Sequence, residues 1–416
     1  MAMTPTAASR NLDDARTGGT DVRAATRLTI DAVLGVTDIV ESMHATIAAV
    51  APPFGKAAIK RTRGLTAQVY RSIRTVTRGV GFGLDFVQRA LPDLDLDDES
   101  SALRVGLIAK LNGVLGDRLE ASGSPLAIPM SLRSEGRVLE LNAAVLARQL
   151  SGQHKRRVVV LVHGLCMHHG QWQRETHDHG RALASDLDCS VLHLHYNTGR
   201  RISTNGEEFA RKLDALLKAW PEPIDSLILL GHSMGGLVIR SALEQARQDE
   251  LDWLDRVDGA IFLGSPHHGA PLERLGNGLD RLLELSPYSA PFTQLGRLRS
   301  AGIRDLRYGN VTLADWQGVD HGHWRDSRRP TPLPEGLRCL SIAATRSPNP
   351  DAPIGSLKGD GLVPVASALG RHDDADQELA LSSADRFIVA DTHHLGLLEH
   401  PEVYTRLRDW LLEGSS

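Results

Sequence analysis

Residues Ser226-Leu-Ile-Leu-Leu-Gly-His-Ser-Met-Gly-Gly236 read as an apolar strand that runs into a tight turn and then a helix. Leu227 to Leu230 make the strand, Gly231-His232-Ser233-Met234-Gly235 the turn, and residues 236 to about 246 the helix. This is a G-x-S-x-G pattern in the strand-to-helix context that gives it meaning. A turn this tight forces Ser233 into a strained backbone conformation with its hydroxyl thrust outward. Gly231 and Gly235 flank it because side chains there would collide across the turn. The helix starts beneath the serine, where free N–H groups favour developing negative charge. A bare G-x-S-x-G is common by chance. The hydrophobic strand, the second glycine at Gly236 and the helix together make Ser233 a candidate nucleophile.

The flanking segments repeat the strand–helix theme. Residues 157–162, Arg-Val-Val-Val-Leu-Val, are almost continuously apolar, as a strand buried on both faces of a parallel sheet must be. Further strands are expected at 190–196, 257–263, 337–344 and 386–390, with a short one at 137–141. Helices are expected at about 205–220 and 401–412. Strands alternating with helices imply an α/β fold, a mostly parallel sheet with helices on both faces. The expected extent of this catalytic domain is 126–416. Between 270 and 336 the alternation lapses into a leucine-rich run, Leu272, Leu275, Leu279, Leu282, Leu283 and Leu285, and then a loop. An insertion there is a candidate lid, with an ornamental insertion as the equal alternative.

Ahead of that domain, residues 1–21 read as a disordered tail and 22–125 as a helical region. Apolar residues recur at three- and four-residue spacing from Ile30 to Val50 and from Leu65 to Leu91. The second stripe is basic on its other face, with Lys56, Lys60, Arg61, Arg63, Arg71, Arg74, Arg78 and Arg89. Residues 56–89 therefore suit either an anionic membrane surface or a solvated outer face over packed helices. A third helix is expected at 103–119.

The 416 residues carry 47 Lys and Arg against 51 Asp and Glu, so a net charge of −4 gives no nucleic-acid signature. Cys166, Cys189 and Cys339 are the only cysteines. So sparse and odd a set argues against a disulfide framework and suits a reducing compartment. No secretory signal is visible in the first twenty residues, and no stretch reaches the ~18 apolar residues of a spanning helix. A cytoplasmic location is expected, peripherally membrane-associated if the basic helix binds lipid.

A serine hydroxyl needs an adjacent base, and a histidine serves if a carboxylate orients it. The acid expected downstream is Asp360, in Gly359-Asp360-Gly361-Leu362-Val363-Pro364, with Asp351 and Asp391 as alternatives. An ordinary Asp-Gly turn is the competing reading. The histidine lies in Asp391-Thr392-His393-His394-Leu395-Gly396, where His394 is favoured over His393 because an apolar run follows it directly. The oxyanion needs two fixed N–H donors, expected at Met234, after the nucleophile, and at Leu165, after His163-Gly164. His163 is expected to be structural.

Taken in order, His163-Gly164, the Ser233 turn, Asp360 and His394 resemble the α/β-hydrolase fold. Within it the wording is similar to lipases and GPI inositol-deacylase-like esterases. Gly264-Ser265-Pro266-His267-His268-Gly269, the Asp360 loop and His394-Leu395-Gly396-Leu397-Leu398 carry that similarity over about 155–412. The resemblance implies a serine hydrolase that cleaves carboxylic esters through an acyl-enzyme, with an apolar acyl or lipid ester as substrate and no cofactor. Ser233 would attack, His394 move the proton, Asp360 orient His394, and Leu165 and Met234 hold the oxyanion.

Three rival readings accompany this one. His168, His169, His177, His179, His193 and His195 invite a metal, but no His-Glu-x-x-His or Cys-x-x-Cys spacing is present, so no catalytic metal is expected. Acyl transfer to an alcohol would use the same triad. A non-catalytic lipid or partner binder would have no need of all three residues. Cys166 reads as a packed residue.

Overall fold

The computed structural model describes residues 98–121, 123–124, 126–175, 177–270, 300–317 and 328–414. The tail, the first two expected helices and the basic stretch 56–89 lie outside the described residues, as do 271–299 and 318–327 of the expected insertion. The chain divides into two compact units, Met1–Ser101 with Gly123–Leu126 and Ala102–Ser122 with Ala127–Ser416. Among the described residues the second unit holds every strand.

Its strands are β1 (Ser131–Ser134), β2 (Arg137–Val138), β3 (Arg157–Val162), β4 (Gln173–Arg174), β5 (His177–Asp178), β6 (Ser190–His195), β7 (Ser226–His232), β8 (Val257–Leu263), β9 (Arg338–Ala344) and β10 (Arg386–Val389). Eight of them form a central sheet in the order β10-β9-β8-β7-β3-β6-β1-β2, and β4 and β5 make a separate antiparallel pair. The six strands β3 and β6 to β10 are mutually parallel, with Val160 of β3 opposite Leu192 on one side and Leu229 on the other. Every residue of β7 is buried, which explains its lack of polar alternation.

At one edge the sheet turns antiparallel. β1 pairs with β6, and β2 folds back on β1 through Glu135 and Gly136, both at positive φ as a tight hairpin turn demands. The strand expected at 137–141 is the second arm of this hairpin and pairs only over Arg137–Val138. Its first arm carries no apolar alternation that would mark it in advance.

Side chains alternate between sheet faces. Val159, Leu161, Ile228, Leu230, Ile261 and Leu263 share a core with Leu183 and Leu187 of helix His179–Leu187 and with Val403, Leu407 and Trp410 of helix Pro401–Glu413. The intervening residues face the other way. There helix Met234–Gln248 lies so close that a Cβ at Gly236 would sit 3.0 Å from Phe262 Cδ1. Helix Ile202–Ala219 packs against that helix. Two helical layers thus cover one sheet, the architecture expected of an α/β-hydrolase fold.

Helix Asp98–Ala121 includes the helix expected at 103–119. Residues 109–116 are buried on every side, although Lys110 and Asn112 are among them. From Ala102 onward this helix is part of the same compact unit as the sheet.

Candidate active site

Ser233 sits between β7 and helix Met234–Gln248 with φ 55° and ψ −124°, a conformation L residues rarely adopt. Its N–H donates to Leu263 O at 2.8 Å and its carbonyl accepts from Gly236 N at 3.1 Å, so the turn is tied to β8 and to the helix it starts. The hydroxyl caps no helix N–H. A Cβ at Gly231 would lie 2.6 Å from Gly236 N, across the turn. The requirement at Gly235 differs from expectation: its Cβ would strike the Val162 carbonyl of neighbouring β3.

Asp360 lies in the loop after β9 and is 2% exposed. Its Oδ1 accepts from Leu362 N at 2.8 Å and Val363 N at 2.7 Å. The Asp-Gly turn is therefore real, and it spends one oxygen on the turn while aiming the other. Oδ2 lies 2.7 Å from His394 Nδ1, with both side chains buried. Gly359 and Gly361 stand at positive φ on either side.

His394 opens a short helical turn, His394–Leu398, after β10. Its N–H donates to Asp360 O at 3.2 Å. Its carbonyl accepts from His232 Nε2 at 3.2 Å, and the His232 ring lies 4.7 Å from the His394 ring. Burial holds His232 well below the usual imidazole range, with His394 adding to the effect, so it is a neutral donor. Gly264, at φ 58°, leaves the space next to the imidazole, since a Cβ there would lie 3.2 Å from His394 Cε1 and Nδ1. His393, by contrast, is exposed, and its Nδ1 accepts from Gly396 N at 3.0 Å. Asp351 and Asp391 are exposed as well.

Leu165 follows β3, and Gly164 brings that loop to the elbow: a Cβ on Gly164 would stand 3.0 Å from Ser233 Cβ. Met234, as the first helical residue, has no intrahelical acceptor for its N–H. Both residues are buried.

The histidine group divides in two. His177 Nε2 and His179 Nδ1 are 2.7 Å apart, and His179 Nε2 donates to Leu397 O at 2.9 Å, bracing the His394 turn. His163, His168, His169, His193 and His195 gather around the loop after β3 instead, with the His169 and His195 rings 4.9 Å apart. His163 stacks on Tyr196 at 4.6 Å, and Tyr196 Oη donates to the His163 carbonyl at 2.7 Å. Burial pushes His163 down to about 3, His169 to about 3 and His195 to about 2. Among the described residues no group of three or more His, Cys, Asp or Glu could hold a metal ion. Burial also pushes the Cys166 thiol up to about 12, which leaves it protonated and unsuited to attack.

His232 and Thr198, the latter accepting from Cys166 N, were not anticipated as parts of the site. His232 sits within the motif and could have been suspected there; Thr198 has no sequence signal.

The sheet order, the elbow at β7 and the loops after β9 and β10 define an α/β-hydrolase fold. Residues 153–287 match the family described as PGAP1-like alpha/beta domain. The chain is also 31% identical over 140 residues to Esterase PIR7B of Oryza sativa subsp. japonica, a match covering 30% of this chain and 46% of that enzyme. It thus spans about half the length of that relative. Among solved structures, the mature lipase BlEst2 of Bacillus licheniformis aligns with TM-score 0.40 and 18% identity, over 61% of this chain and 91% of that one. The Pyrococcus furiosus esterase PF2001 aligns with TM-score 0.39 and 15% identity, over 63% and 83%.

Proposed function

We propose that the protein is a serine hydrolase that cleaves carboxylic esters through an acyl-enzyme. The observation that carries this reading is the buried Asp360–His394 pair at the end of the sheet that bears the strained Ser233. His394 Nδ1–H is held by the carboxylate, which leaves Nε2 as the basic nitrogen. In the proposed sequence, Ser233 Oγ attacks the ester carbonyl as its proton passes to His394 Nε2. The imidazolium formed is stabilised by Asp360 and protonates the departing alcohol. Water then attacks the acyl-Ser233 ester as His394 takes its proton, and His394 returns that proton to Ser233 Oγ as the bond to the acyl carbon breaks and the acid leaves. The N–H groups of Leu165 and Met234 hold the carbonyl oxygen as it becomes an oxyanion.

An apolar acyl or lipid ester is the proposed substrate. Similarity to an esterase and to the PGAP1-like domain supports the ester; the leucines from Leu272 to Leu285 support the apolar acyl chain. The basic residues of 56–89 support contact with an anionic membrane surface, and three free, buried cysteines fit the proposed cytoplasmic location. The deciding experiment is labelling of the full chain with a fluorophosphonate probe, with and without anionic vesicles. Labelling lost in Ser233→Ala is expected; a folded wild type that stays unlabelled in both conditions overturns the hydrolase reading. The same acyl-enzyme yields a new ester if an alcohol replaces water, and product analysis with a competing alcohol separates the two outcomes.

A further inference from the structure

The loop that carries Leu165 is gripped from two sides by groups with no part in the chemistry. Cys166, the next residue, stands at φ 60°, a left-handed conformation that a non-glycine residue keeps only under constraint. Its N–H donates to Thr198 Oγ1 at 3.1 Å, and Thr198 is itself 1% exposed in the loop after β6. On the other side lies helix Asp98–Ala121. A Cβ at Gly113 would fall on Cys166 Sγ and come within 3.1 Å of Cys166 Cα, so the helix backbone lies directly on the loop.

The helix is locked in that position. Asn197 Nδ2 donates to Gly116 O at 2.9 Å, Ser300 Oγ donates to Gly113 O at 2.7 Å, and Ala301 N donates to Asp117 Oδ2 at 2.9 Å. A Cβ at Gly199 would lie 2.6 Å from Gly116 N, so the loop after β6 is pressed on the same helix face. Three segments, each distant in the chain, therefore meet at one residue beside the oxyanion donor.

We propose that Gly113 and Thr198 are positioning residues that set the Leu165 N–H through Cys166. This rests on the hydrolase reading, in which Leu165 is a donor to the oxyanion. Thr198 fixes the Cys166 end of the Leu165–Cys166 peptide. Gly113 leaves open the space that Cys166 occupies against the helix. A donor that acts only on developing charge affects the transition state more than ground-state binding.

The test uses the full chain and p-nitrophenyl butyrate as the probe ester. Thr198→Val keeps the shape and removes the acceptor; Thr198→Ser keeps the acceptor. Gly113→Ala pushes on Cys166, and pairing it with Cys166→Ala removes the Sγ that the new methyl strikes. Thr198→Val and Gly113→Ala should each lower kcat by about tenfold or more, against ~10²–10³ for outright loss of a donor, with KM within about threefold. Thr198→Ser and the Gly113→Ala/Cys166→Ala pair should recover most of the loss. Hydrogen exchange should rise at residues 165–167 in Thr198→Val and stay unchanged in strands β7 and β8. Wild-type kcat in a folded Thr198→Val, or a loss shared equally by Thr198→Ser, overturns the proposal, and Thr198→Val decides the matter if Gly113→Ala does not fold. An active Ser233→Ala would overturn the hydrolase reading instead. Unchanged exchange at 165–167 in Thr198→Val would overturn the contact whatever the catalytic outcome.

Discussion

Asp360 and His394 are joined twice: side chain to side chain, Oδ2 to Nδ1 at 2.7 Å, and backbone to backbone, His394 N to Asp360 O at 3.2 Å. The second bond fixes the distance between the two loops independently of the first. The carboxylate's other oxygen is held by Leu362 N and Val363 N, so it cannot swing away.

Asp360→Asn should therefore fold normally and still lose activity. The amide can keep the turn, but it presents a donor or a neutral acceptor where the proposed mechanism forms an imidazolium. A kcat loss of about 10³–10⁴ is expected, in line with triads that lose their acid. Ser233→Ala and His394→Ala should abolish fluorophosphonate labelling. His393→Ala, which removes only the exposed ring bonded to Gly396 N, should label within about threefold of wild type. Loss of labelling in His393→Ala with labelling kept in His394→Ala would reverse the assignment of the base.

The glycines of the elbow should be sensitive in stability as well as in activity. A Cβ at Gly235 would meet the backbone carbonyls of Val162 and His163, and backbone cannot move aside as a side chain can. Gly235→Ala should cost roughly 1–3 kcal/mol. At about 2–4 °C per kcal/mol for a chain of this size, the melting temperature should fall by several degrees. An unchanged melting curve would mean that the helix shifts freely at its start.

Acid should destabilise the fold through the buried imidazoles. His163, His168, His169, His179 and His195 all lie below the usual 6.5, at about 3, 4, 3, 4 and 2, chiefly through burial. Each is neutral when folded, whereas the unfolded chain takes up the proton below about pH 6.5. Stability is therefore greatest above pH 6.5 and falls with pH down towards 4. Each such group contributes a slope of about 1.4 kcal/mol per pH unit. Urea unfolding between pH 7 and pH 4.5 should show the decline, and His179→Gln should flatten it by about one proton's worth.

The three cysteines should be silent in the native protein. All are free and buried, and burial pushes Cys166 to about 12, Cys189 to about 11 and Cys339 to about 12. Iodoacetamide should leave the expected fluorophosphonate labelling intact, and a thiol reagent should count three groups only after denaturation. Inactivation by iodoacetamide that Cys166→Ala prevents would show that the thiol is reached beside Leu165.

The parallel strands were legible because a strand buried on both faces has no polar phase to lose. Residues 157–162 and 257–263 read directly as β3 and β8, and 190–196 differs from β6 by one residue. The first arm of the edge hairpin was not, since Ser131-Leu-Arg-Ser134 has one buried residue and relies on β6 for its pairing. At the site, the loops of Asp360 and His394 were marked by their glycines and by their place after strands. The contact of Gly113 with Cys166 was not, because helical periodicity says which face is apolar and not which distant loop will lie on it. The six grouped histidines looked alike in the sequence, and only the fold separates the pair that braces Leu397 from the set around the loop after β3.

Ser233 is held at a φ of 55°. Alanine shares that discomfort and glycine does not, so Ser233→Gly should be more stable than either Ser233→Ala or wild type by about 1 kcal/mol or more. The two inactive variants would then bracket what holding a side chain here costs the native state. On the proposed reading, a chain that had abandoned the reaction would gain by that one exchange, and a serine at this position carries a standing thermodynamic disadvantage.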